Sequence, residues 1–140
     1  MDSVGDVSLI LQVVILFLLI VGLPFVRGLN NKKNFAIHGY LTVLAIALHT
    51  FLIFAVMVPS LVSDLGEITE LGALDMLNVW LHVVLGTVAE VLGVFLVVSW
   101  FRKPRSSMAC ARWKSWMLPT FIIWTVALVG GSVVHLLEIM

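Results

Sequence analysis

Four apolar runs, each long enough to cross a bilayer as a helix, constrain this chain more than any other feature. They are Val7 to Val26, Phe35 to Ser60, Met76 to Trp100 and Trp116 to Leu137. A hydrocarbon core of about 30 Å takes roughly 20 apolar residues in helical form, and every run meets that length. The chain has 140 residues, of which 61% are hydrophobic. A soluble core of that size cannot bury so much apolar surface, so lipid must solvate part of it. The runs predict an all-α integral membrane four-helix bundle with up-down topology, a single domain over residues 1–140. The first run follows MDSVGD, which has two acids and no base. A secretory signal wants a basic lead and a small-residue cleavage site, so this run reads as a retained transmembrane helix.

The charges are segregated although their formal sum is zero. All eight Lys and Arg fall in two loops, Arg27, Lys32 and Lys33 in one, Arg102, Lys103, Arg105, Arg112 and Lys114 in the other. An up-down topology puts both loops on one side, and the positive-inside rule makes that side cytoplasmic. Seven of the eight acids, Asp2, Asp6, Asp64, Glu67, Glu70, Asp75 and Glu138, then lie on the other side. The expectation is a multi-pass protein of the cell membrane with both termini outside. Trp80, Trp100, Trp113 and Trp116 sit near run ends, as interface anchors do. Pro59-Ser60 is expected to end the second helix, and the acidic stretch after it to form a short amphipathic helix on the membrane surface. A single cysteine, Cys110, excludes an internal disulfide. The chain has no nucleophile paired with a base, no phosphate loop and no basic surface for nucleic acid. That argues against a hydrolase or a nucleotide enzyme.

Ionisable residues inside a membrane are costly, and each one is a candidate functional residue. The second run carries His38 and His49, whose eleven-residue separation returns to within roughly 20° of one helical face, shared with Thr42 and Ala45. The third run carries His82 and Glu90, and the fourth ends on His135. By helix position His49, His82 and His135 gather in the outer half on three different helices. In the third run Asn78, His82, Gly86, Ala89 and Gly93 form one stripe. Its small residues allow close helix packing or leave room for a flat cofactor, and Gly86 stands where such room is needed. In the fourth, Thr125, Leu128, Ser132 and His135 share a face beside Gly130 and Gly131.

Two chemistries suit this set. Imidazole is a haem-iron ligand, and four-helix bundles hold cofactors between facing helices. His49 with His82 is then the first axial pair, His135 the reserve, and the cofactor haem b. The alternative is a copper or zinc site of His49, His82 and His135. A third reading has the histidines bonding between helices and holding nothing. Glu90 is either a proton relay or haem-propionate neighbour, or a protonated carboxyl bonded to a neighbouring helix at Thr50 or Trp124. His38 reads as an interfacial residue near Lys33 and the lipid headgroups.

The stretches FAIHGYLTVLAIAL, NVWLHVVLGTVAEVLGVFLVV and FIIWTVALVGGSVV resemble the small four-helix membrane family known as domain of unknown function 420, which includes oxidase assembly proteins of the CtaM type. The resemblance covers roughly residues 30 to 137. His38 and His82 fall on histidines of that family, while the family's further histidine before the fourth helix is replaced here by ARWK. His49 and His135 are additions to the pattern, and they favour haem. The resemblance implies a role in maturing or supporting haem–copper respiratory oxidases. The partners expected are therefore the bilayer, a respiratory oxidase or other large membrane complex, or a second copy of this chain. The alternative is an accessory subunit that carries no cofactor.

Overall fold

The computed structural model describes the backbone of residues 3–27, 32–102 and 107–139 and the side chains of 5–23, 36–102 and 115–133. Every described element is helical: α1 (Ser3–Arg27), α2 (Lys32–Leu52), a π-helical turn (Ile53–Met57), α3 (Val58–Ser63), α4 (Leu65–Ile68), α5 (Ala73–Arg102) and α6 (Ser107–Ile139). Four segments are long and apolar enough to cross a membrane, Gly5–Leu23, Ala36–Ser63, Ala73–Arg102 and Ser115–Val133. Inside lipid a backbone has no water to bond, so a helix, which pairs its own N–H and C=O groups, is the form these runs must take. The four long helices pack as a bundle, with α1 chiefly against α2, α5 chiefly against α6, and α2 joining the pairs through α5.

The core is thin and made at close helix crossings. Ile15, Ala45, Ile46, Ala89 and Trp124 form its buried cluster. Lipid solvates the rest, so Phe17, Phe51, Phe54 and Val91 stand exposed without cost. Glycine sets two of the approaches. A Cβ on Gly93 would collide with Ile46, and one on Gly39 would collide with Trp100. Tyr40 meets the same Trp100 edge-on, with ring centroids 5.4 Å apart.

Pro59 does not end the second membrane helix. The π-helical turn passes the chain into α3, with Val58 N–H bonding to Ile53 C=O, and Pro59 falls in the first turn of α3. The widened turn just before it relieves the clash that a proline ring makes with the preceding turn of a regular helix. The helix therefore runs on to Ser63. The acidic stretch beyond it makes only the single turn α4, packed down by Ile68, rather than a helix along the surface. Pro119 is likewise accommodated within α6.

Candidate functional site

Residues from all four long helices enclose a cavity of about 530 Å³ in the half of the bundle that carries the acidic connection. Its lining includes the buried His49 and Trp124, then Gln12, Val56, His82, Gly86 and Ala127, and the exposed Ser60, Asp64, Leu71 and Asp75. The cavity lies in the range of ordinary ligand sites and is lined mainly by apolar groups with a few polar ones, as such sites are. Among the described residues no Lys or Arg lines it. The π-helical turn has a direct role, since it adds a residue to the helix and so brings Met57 and Leu61 into the wall along with Ile53 and Val56.

His49 and His82 both face this cavity, on facing helices, as the sequence suggests. They do not bond each other. His49 is buried, and its Nδ1 lies 2.7 Å from Glu90 Oε2 on α5. The other carboxyl oxygen, Oε1, makes a short hydrogen bond with Thr50 Oγ1. Thr50 Oγ1 also lies 2.9 Å from the Ile46 carbonyl. A hydroxyl has one hydrogen to give. If Thr50 gives it to the Ile46 carbonyl, Glu90 must carry the hydrogen of the Oε1–Thr50 bond. His49 Nδ1–H donates to Glu90 Oε2, and Thr50 Oγ1 lies within bonding distance of both Glu90 Oε1 and the Ile46 carbonyl, so the four groups form one hydrogen-bonded chain between α2 and α5. In an apolar interior a fully bonded chain is the least costly arrangement of these groups. It leaves His49 Nε2 as a bare acceptor. The His49 ring packs against Trp124, with centroids 4.6 Å apart.

His82 is held in a parallel way. Its Nδ1 donates to the Ala127 carbonyl on α6 at 2.7 Å, which again leaves Nε2 free. The ring lies over Gly131, where a Cβ would stand 2.5 Å from Cε1 and 2.9 Å from Nδ1. Gly131 therefore makes room for this histidine, while a Cβ on Gly130 would make only ordinary contacts with Asn78 and His82. Gly86 is different: a Cβ there would meet nothing within 4 Å and would point into open cavity space. The lower stripe of α5 serves packing instead, with Ala89 and Gly93 buried in the core.

Other expected positions move. Glu90 is not among the cavity's lining residues but stands behind His49, so it is no neighbour for a ligand's polar edge. Of the two neighbours expected for Glu90, Thr50 bonds it, while Trp124 contacts the histidine. His38 is half-buried near the start of its span, and its Nδ1 donates to the Gly22 carbonyl of α1 at 3.0 Å. On α6 the inward face is Trp124, Ala127, Leu128 and Gly131. Thr125 and Ser132 spend their hydroxyls on their own helix, at Phe121 and Leu128 carbonyls. The side chains of His135, Glu138, Cys110, Lys33 and Trp113 lie outside the described residues. Among the described residues no group of three His, Cys, Asp or Glu is placed to hold a metal ion. Sequence reasoning missed Gln12 and Ser8 of α1, which are buried at the cavity wall. Their signal was available, since Gln12 is the one amide within the first apolar run. No family model, curated protein or solved structure matches this chain.

Proposed function

We propose that this chain is a small b-type haem-binding membrane protein that serves respiratory electron transfer or the maturation of haem–copper oxidases. One observation carries the reading: two imidazoles on facing helices enter a single apolar cavity, each with Nδ1 already bonded and Nε2 left over. A histidine fixed through one ring nitrogen by a carboxyl or a backbone carbonyl is the usual state of an imidazole that ligates a metal through the other. His49 and His82 would hold the iron, Glu90 with Thr50 and Ala127 would hold the two rings, and Gly86 would leave space for the macrocycle. Bound there, haem supplies reversible one-electron exchange. Trp124 and the aliphatic walls exclude water from the site.

A bare copper or zinc ion asks more of the protein, three or four donors rather than two. His49 and His82 supply two, and His135 would have to supply the third. The tetrapyrrole brings its own four nitrogens, so the described donors suffice. The link to respiratory oxidases rests on the resemblance of the quoted stretches alone. By the positive-inside rule we place the basic loops in the cytoplasm of a cell whose plasma membrane holds the protein.

The test is a reduced-minus-oxidised spectrum of protein produced with ample haem. The expected result is a Soret and an α band. A featureless spectrum overturns the reading and leaves an accessory subunit without a cofactor. Metal analysis by mass spectrometry separates iron from copper and zinc.

A further inference from the structure

The bundle divides its charge by end. Asp64, Glu67, Glu70 and Asp75 all stand exposed in the connection between the second span and α5. No Lys or Arg occurs between Lys33 and Arg102. The bases belong to the other end: Arg27 closes α1, Lys32 opens α2, Arg102 closes α5, and Arg112 and Lys114 come early in α6. Lys33 and Ser63 are roughly 45 Å apart along their span, well beyond the reach of a screened charge. Topology does not call for these carboxylates, since orientation follows Lys and Arg and acids contribute little. Glu67 and Asp75 sit in first turns, where a helix dipole favours an acid. Asp64 heads α4 without a capping bond, and Glu70 lies beyond that helix.

A second observation lies beneath them. Asp64, Leu71 and Asp75 line the same cavity as His49. His49 is 6% exposed, and its Nε2 has no partner among the described residues. The one sealed side-chain atom without a partner among the described residues is Gln12 Oε1, so His49 Nε2 is open to the cavity. The cavity is also off-centre. Along α5, His82 is about 10 Å from Asp75 and about 30 Å from Arg102. An electron exchanged with water-soluble chemistry has its short way out at the acidic end. Leu71 and Leu74 stand exposed among the carboxylates, so the face has apolar contacts inside a charged rim, as protein interfaces do.

We propose that the acidic end is the docking face for a soluble, lysine-rich protein that carries one electron. Complementary charge steers such a carrier to the face and orients it there. Once it has docked, one electron passes between the carrier's redox group and the iron held at His49 and His82. One centre is oxidised as the other is reduced, and no bond or proton moves. The face rests on the fold and the charge distribution, and the electron step rests on the haem reading.

The experiment uses full-length protein, loaded with hemin, in nanodiscs of zwitterionic lipid, with empty nanodiscs as the control. The probe is cytochrome c, a lysine-rich one-electron carrier, either native or with its lysines succinylated to reverse their charge. Binding is read by biolayer interferometry and electron exchange by stopped-flow absorbance. Native cytochrome c is expected to bind at about 20 mM salt and about tenfold more weakly at about 150 mM, while the succinylated form does not bind. Combining Asp64→Asn, Glu67→Gln, Glu70→Gln and Asp75→Asn is expected to weaken native binding and slow electron exchange, each about tenfold. Equal binding of the two forms, or none by either, overturns the docking face, and a Soret band from the loaded protein in the same sample leaves the haem reading intact. Salt-sensitive binding without electron exchange in loaded protein overturns the assignment to an electron carrier. If no Soret band develops on loading, the haem reading falls, and native against succinylated binding still decides the face. That comparison is made on wild type, so it holds even if the variant fails to fold.

Discussion

His49 on α2 and Glu90 on α5 meet at 2.7 Å inside the bundle, and Thr50 completes the contact from the next position along α2. The pair ties the two halves of the molecule together, because α2 and α5 are the elements through which the α1–α2 and α5–α6 pairs join. The hydrogen-bonded chain through Thr50 makes sharp demands on substitutions.

Glu90→Gln keeps both bonds if the carboxyl is protonated, since an amide accepts through its oxygen and donates through its nitrogen. Stability to thermal or SDS unfolding should then change little. Glu90→Ala strands His49 Nδ1–H and should cost about 1–3 kcal/mol, the penalty for a buried donor left unpaired. Equal losses for the two variants would contradict a protonated carboxyl.

Two glycines of the cavity should respond in opposite ways. Gly131→Ala drives a Cβ into the His82 ring, which must leave its seat and its Ala127 partner. A loss of about 1–3 kcal/mol is expected from such overpacking. Gly86→Ala meets open space and should leave unfolding unaltered or slightly improved, while reducing haem uptake by narrowing the cavity. Measuring unfolding and pigment content on the same preparations checks both halves.

Histidine substitutions should separate ligands from struts. His49→Ala and His82→Ala should each remove the α band of the reduced pigment. His38→Ala should leave the spectrum intact and cost about 1 kcal/mol through its lost bond to the Gly22 carbonyl. A pigment that survives loss of either His49 or His82 would exclude that residue as an axial ligand.

The side of the membrane can be read with one thiol at a time. Cys110 is the chain's single cysteine and lies in the basic stretch at the start of α6. An impermeant maleimide should label it in inverted vesicles but not in intact cells. Asp64→Cys, made with Cys110→Ser, should show the reverse. Labelling of Cys110 from outside would invert the proposed orientation.

Much of this was legible in the sequence because lipid leaves the backbone few options. Four long apolar runs had to become four helices, and the spacing of Asn78, His82, Gly86, Ala89 and Gly93 marked the inner face of α5 correctly. The convergence of His49 and His82 on one cavity followed from depth and face alone. What could not be read was which atoms bond. Depth places Glu90 near Thr50, but only the rotation of α2 against α5 gives His49 to Glu90 rather than to His82. Pro59 misled because a proline reads as a stop, whereas a wider turn just before it removes the clash. On α6 the hydroxyls of Thr125 and Ser132 looked like an inward face, yet a helical Thr or Ser satisfies itself on the carbonyl four residues back.

The wide turn at Ile53–Met57 has one more implication. A single surplus residue there sets the rotational phase of everything from Val58 to Ser63 relative to His49. Were the same residues wound as regular α-helix, the surplus one would swing that outer end by about 100° without altering its composition. Its greasy wall would then face lipid, and the hollow would open sideways. In this fold the winding of one span decides which way the outer wall of the hollow is turned.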